Sequence, residues 1–254
     1  MEKPTYKKLL DAGVHFGHLK KKWNPKMSPY IFMERKGIHI IDLNRTSECM
    51  ETAADAMRQM AKSGKKILFV ATKKQARKIV SEAALSVGMP YVTERWLGGM
   101  LTNWGTISNS IKKLDDLNKN LLSENRGFTK KELLKMSSQR DKLQRSLGGI
   151  IEMKKIPDLV FIIDTNYESL AIKESIKLSI PIIAILDTNS DPDGIDFPIP
   201  GNDDARRSID LYCNLLQETI NNAKKDRPQN LAEYDHKNES FIEKDKVNSE
   251  TKIN

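Results

Sequence analysis

The residues best suited to chemistry in this sequence are cations interleaved with aromatic rings. Lys20, Lys21, Lys22, Trp23, Asn24, Pro25, Lys26, Met27, Ser28, Pro29 and Tyr30 form a proline-containing run whose ammonium groups would neutralise phosphates while its rings stack on exposed bases or sugars. The run from Arg95 through Trp96, Leu97, Gly98, Gly99, Met100, Leu101, Thr102 and Asn103 to Trp104 repeats the mixture, although Trp96 beside Leu97, Met100 and Leu101 suits core packing at least as well as stacking. Lys73, Lys74 and Arg77 stand at an expected helix start, a setting for a phosphate of either an RNA backbone or a cofactor. The expected phosphate contacts are thus Lys20, Lys21, Lys22, Lys26, Lys73, Lys74, Arg77, Arg95, Lys112 and Lys113, with Trp23 and Asn103 for sugar or base.

Other chemistry has weaker support. The acidic stretch Asp187 to Gly194 suggests a divalent cation, but a calcium-loop register starting at Asn189 puts Pro200 where a bidentate Glu is needed, and one starting at Asp187 puts Pro192 where Gly is needed. A structural turn is the favoured reading. His15 and His18 could share a metal only on a helix, and Gly17 between them favours a turn. No Gly-rich dinucleotide fingerprint, phosphate-binding loop or nucleophile elbow occurs. No catalytic residue, metal ligand or cofactor is therefore assigned.

These residues need a scaffold. Apolar runs at 38–43, 67–71, 159–163 and 182–186, with a shorter one at Tyr91 and Val92, read as buried strands. The stretches 47–62, 74–87, 168–178 and 203–222 carry apolar residues at helical spacing. The alternation predicts α/β architecture, a parallel sheet with helices on both faces. Residues 103–155 contain no strand. Ile107, Ile111, Leu114, Leu117 and Leu121 mark one amphipathic helix; after a turn at 125–128, Thr129 and Glu132 stand at capping-box spacing ahead of a second. Two antiparallel arms of roughly 19 residues would reach about 28 Å. They form either a protruding hairpin, which the missing strand favours, or two helices covering the sheet. The expected division is an α/β body over 1–102 and 156–223, a hairpin over 103–155, and a polar, flexible tail over 224–254.

The chain has 254 residues and a formal charge of +8, with 39% hydrophobic residues. Residues 1–155 hold 31 Lys and Arg against 15 Asp and Glu, whereas 156–223 hold four against 12. A polyanion should meet the first segment, and a basic or metal-bearing partner could meet the second. No run reaches the roughly 18–20 apolar residues of a membrane span, and Cys49 and Cys213 are too few for a disulfide framework. A cytoplasmic location and no membrane partner are expected.

Several blocks in order carry a family resemblance: 10–18, 23–27, 95–104, 146–150, 180–182, 187–193 and 199–205. Over roughly residues 5–222 the sequence resembles a bacterial member of the family of small ribosomal subunit protein two. The resemblance implies a flavodoxin-like three-layer body with an inserted helical hairpin (coiled coil) and no catalysis. It also implies binding to small-subunit ribosomal RNA near the head–body junction, beside neighbouring ribosomal proteins, with support for docking of ribosomal protein S-one. The alternatives are a cytoplasmic nucleotide- or phosphate-binding α/β enzyme using the Asp-rich loop for magnesium, or a free regulatory RNA-binding protein.

Overall fold

The computed structural model describes residues 4–122 and 129–226. In chain order the strands are β1 (Phe16–Leu19), β2 (Ile31–Arg35), β3 (Ile38–Ile41), β4 (Ile67–Val70), β5 (Tyr91–Val92), β6 (Leu159–Ile163), β7 (Ile182–Leu186) and β8 (Phe197–Pro200). The helices are α1 (Tyr6–Ala12), α2 (Leu43–Lys62), α3 (Arg77–Ser86), α4 (Trp104–Leu122), α5 (Lys130–Leu147), α6 (Ser169–Lys177) and α7 (Arg206–Lys225).

β4 to β8 form one parallel sheet in the order β5-β4-β6-β7-β8, the 2-1-3-4-5 arrangement of flavodoxin-like folds. Successive side chains on a strand point to opposite faces, and here both faces are dry. Ile67, Phe69, Phe161, Ile163, Ile183 and Ile185 pack with α1, α2, α3 and α7. Leu68, Val70, Val160, Ile162, Ala184 and Leu186 pack with α6 and the bases of α4 and α5. Burial on both sides is why these strands read as unbroken apolar runs. β8 was not foreseen, because Pro198 and Pro200 argue against a strand; as an edge strand it tolerates them.

The run at 38–43 does not join the parallel sheet. β3 is the middle strand of a separate antiparallel sheet ordered β1-β3-β2, with Phe16 opposite Ile40 and Arg35 opposite Ile38. The cause is local: Lys36 and Gly37 have φ of 52° and 76°, the paired positive values of a two-residue hairpin turn whose twist matches the strands. Helix boundaries also shift. α2 begins at Leu43, where the Asp42 side chain accepts the Asn44 amide, and α7 runs on to Lys225, so Lys224 and Lys225 belong to the body.

α5 packs along α4. The predicted capping box is present: Glu132 accepts the Thr129 amide at 2.8 Å while the Thr129 hydroxyl accepts the Glu132 amide at 3.4 Å. The turn expected at 125–128 and the tail beyond 226 lie outside the described residues.

Candidate nucleic-acid interface

The N-terminal basic loop is anchored by its neighbours. Lys20, Lys21 and Lys22 form one 3-10 turn, and Pro25–Tyr30 forms another, capped by Asn24. The Asn24 amide donates to the Thr188 carbonyl at 2.8 Å. Gly17 lets β1 approach the same place, since a Cβ there would meet Thr188 Cγ2 at 2.5 Å. Trp23 is 37% exposed and sets its ring edge-on to His39 at 5.1 Å. Lys20 pairs with Glu34 at 2.6 Å, while Lys21 and Lys22 face solvent.

Lys26 donates to Asp191 at 2.9 Å and to Asp193 at 2.6 Å. Those hydrogen bonds raise its pKa above the usual lysine value. The acidic stretch is thus organised around a lysine of the basic loop, and Asp191 also accepts the Asp193 amide as a turn residue does.

The carboxyl ends of β4, β6, β7 and β8 converge on a second cluster. Lys73 is only 13% exposed, and its ammonium contacts Asp164 at 2.9 Å, Asp203 at 2.8 Å and Asp204 at 2.6 Å. Burial would lower its pKa, but Asp203 and its two neighbours outweigh that effect and raise it. Burial, with the like charges of Asp164 and Asp187, pushes the Asp203 carboxyl up to about 7 against the attraction of Lys73. His18 of β1 joins the group, with Nδ1 2.8 Å from Asp187 and Nε2 3.4 Å from Asp204; the Asp187 hydrogen bond outweighs burial and raises the imidazole pKa. Nearby, buried Glu168 accepts the Thr72 amide at 2.5 Å and its hydroxyl at 2.7 Å.

The second basic-aromatic run is built around one carboxylate. Glu174, buried on α6, accepts the Trp96 indole N–H at 3.1 Å and the amides of Gly99, Leu101 and Thr102 at 2.8, 2.9 and 3.1 Å, with the Thr102 hydroxyl also at 3.1 Å. Burial opposes ionisation, but these donors prevail and hold the carboxyl below the usual glutamate value. The loop then passes into α4, where Asn103 Oδ1 accepts the Thr106 hydroxyl at 2.9 Å.

A family model described as ribosomal protein S2 matches residues 9–223, from within α1 to within α7. The chain belongs to the ribosomal protein S2 family. Similar relatives are three proteins named small ribosomal subunit protein uS2. The one from Rhodospirillum centenum is 55% identical over 217 residues, 85% of this chain and 83% of the relative. That from Cytophaga hutchinsonii is 51% identical over 227 residues, 89% of each chain, and that from Zymomonas mobilis is 51% identical over 229 residues, 90% and 92%. Membership of the S2 family makes this a ribosomal protein, not an enzyme. Among the described residues no helix is long and apolar enough to cross a membrane.

Within this S2 protein the cations chosen from sequence divide into two sets. Among the described residues Lys21, Lys22, Lys74, Arg95, Lys112 and Lys113 are exposed with no ion-pair partner. Lys20 and Lys26 are exposed but paired. Arg77 is braced by the Thr72 carbonyl at 2.8 Å and by Glu94 at 3.2 Å. Lys73 is engaged within the fold, its ammonium held among three carboxylates. Trp96 packs in the core, as does much of Trp104. The acidic residues of 156–223 also divide: Asp191, Asp193, Asp196, Asp204, Asp210 and Glu218 are exposed. Asp164, Glu168, Glu174, Asp187 and Asp203 are buried, each with at least one donor from within the fold, Asp203 through Oδ1 alone.

Sequence reasoning missed Glu174 and the Asp164, Asp187 and Asp203 cluster. A signal existed for each. Ala171, Glu174 and Ser175 occupy one stripe of α6, so the glutamate lies on the buried face at i+3 spacing. The aspartates follow strand ends that converge in any parallel sheet.

Proposed function

We propose that this S2-family chain is a cytoplasmic structural component of the small ribosomal subunit, bound to ribosomal RNA near the head–body junction, and that it supports docking of ribosomal protein S-one. Beyond family membership, the observation that supports RNA binding most directly is the set of exposed cations, Lys21, Lys22, Lys74, Arg95, Lys112 and Lys113, without ion-pair partners among the described residues. Such groups displace counterions from phosphates, and the rigid sheet keeps them in fixed relation. On this reading the body comprises 1–102 and 156–225, the latter to the end of α7, the hairpin over 103–155 is an insertion that reaches RNA, and the tail follows α7.

The docking of a protein partner draws on a different surface. Tyr6, Leu10, Phe16, Phe32 and Met33 are exposed around a cleft of about 340 Å³ between α1 and the antiparallel sheet. An exposed apolar patch of this kind suits a protein partner rather than a phosphate backbone.

The enzyme alternative finds no support in the cleft where a flavodoxin-like fold holds its ligand, because Lys73 and its carboxylates occupy the deeper part of that crevice. The test is sedimentation of a cell lysate through sucrose at low and at raised salt, with the protein quantified across the gradient. Near-stoichiometric co-migration with small subunits, lost as salt rises, is expected. Recovery at the top of the gradient in both salts would overturn the proposal.

A further inference from the structure

In a sheet ordered 2-1-3-4-5 the helices after the first and third strands leave for opposite faces, opening a crevice between them. Here those strands are β4 and β6, followed by α3 on one face and α6 on the other. Towards β7 and β8 the crevice is filled by the Lys73 cluster. Towards the surface it remains an open cleft of about 240 Å³, flanked by Arg77, Arg95, Tyr167 and Leu170.

The walls are fixed from behind. Arg77 is held by Thr72 and Glu94, Thr72 is held by buried Glu168, and the loop that follows Arg95 is held by Glu174. The Tyr167 amide donates to Asp164 at 3.0 Å. In front of this braced backing the Tyr167 ring is 60% exposed and Leu170 53% exposed, beside the Arg95 guanidinium, which is exposed and without an ion-pair partner among the described residues. A preorganised cleft that presents a bare aromatic ring, an aliphatic side chain and a free guanidinium fits a flat base joined to a phosphate.

We propose that this cleft binds one unstacked nucleotide of single-stranded RNA, its base on Tyr167 and Leu170 and its adjoining phosphate on Arg95. The proposal rests on the RNA-bound reading above and names one place where that binding reads a single strand. Two observations argue for a polymer over a free nucleotide. The cleft is smaller than the roughly 300–1,000 Å³ of sites that enclose a drug-sized ligand. Glu94 offsets Arg77, so one guanidinium alone faces the phosphate, and the neighbouring phosphates of a strand are needed to engage further cations such as Lys74.

The test uses the full chain and a ten-nucleotide oligoadenylate, with adenosine monophosphate and a ten-base-pair RNA duplex as comparisons. The oligoadenylate should bind more tightly than either. Tyr167→Ala should weaken it about tenfold with little change in salt dependence, because stacking releases no counterion, and Tyr167→Phe should restore it. Arg95→Ala should weaken binding and reduce the salt slope by about one. Unchanged melting temperatures would show that these exposed substitutions leave the fold intact. If both alanine variants bind like the parent while Lys21→Glu with Lys22→Glu binds weakly, the cleft is not the site and the RNA-bound reading stands. Preference for the duplex would also overturn the single-nucleotide site. No salt-dependent RNA binding by the parent would overturn both.

Discussion

At the scale of single residues, buried charge sets the clearest expectations. Lys73 holds Asp164, Asp203 and Asp204 together, and removing one partner of a buried ionic group leaves the others uncompensated. Lys73→Met should lower stability by about 3 kcal/mol near neutral pH, measured by urea unfolding. The loss should shrink at pH 5.5, where Asp203, with its carboxyl near 7, takes up a proton in the native state. The pH profile of the unaltered protein follows from the same cluster. Both Asp203 and His18 have pKa values raised above their ordinary ones, so the folded state holds more protons than the unfolded state above pH 4 for the first and above pH 6.5 for the second. Their contribution is full below those unfolded values and is lost as pH rises through the folded ones. Stability should therefore decline as pH rises from about 4 to 7 through Asp203 and further above pH 6.5 through His18, and His18→Gln should flatten the part of the decline above pH 6.5 in thermal melts. Glu174 acts in the opposite sense, because its lowered value makes its contribution present above about pH 4.5 and lost in acid.

At the scale of elements, Glu174 and the capping box set the order of the loop and hairpin. Glu174→Gln replaces one acceptor oxygen with a donor facing N–H groups, leaving at least one buried amide unpaired at a cost of about 1–3 kcal/mol. Amide exchange should accelerate at Gly99, Leu101 and Thr102 before it does in β6 or β7, and exchange rates equal to the parent's at those three amides would remove the carboxylate from its organising role. Thr129→Ala removes the hydroxyl that accepts the Glu132 amide while keeping the backbone N–H that donates to Glu132, and should cost α5 about 1 kcal/mol. The cost belongs to the first turn of α5 and should appear there in exchange, while the parallel sheet retains its protection.

At the scale of the whole molecule, cations are gathered in residues 1–155, which hold 31 Lys and Arg against 15 Asp and Glu. Lys20→Glu, Lys21→Glu and Lys22→Glu together reverse three charges in one turn, and the variant should incorporate poorly into small subunits, most visibly as salt rises. Incorporation equal to the parent's would remove that loop from the interface.

The sequence by itself determined the α/β body, its parallel core strands and the two helices of 103–155, because side-chain periodicity and capping residues are local properties. Apolar runs such as 159–163 and 182–186 and the spacing of Thr129 and Glu132 left few alternatives for those segments. The family blocks indicated ribosomal membership on the same linear basis. The tertiary structure decided how β3 pairs, since a strand as short as Ile38–Ile41 is compatible with either sheet until the turn at Lys36 and Gly37 joins it to β2. It also decided the state of each cation. Lys73 and Lys74 are adjacent and chemically alike in sequence, yet one ends among three carboxylates drawn from beyond β6 and β8 and the other in solvent. Charge pairing across such separations depends on which strand ends meet in space, and packing of the whole sheet determines that meeting.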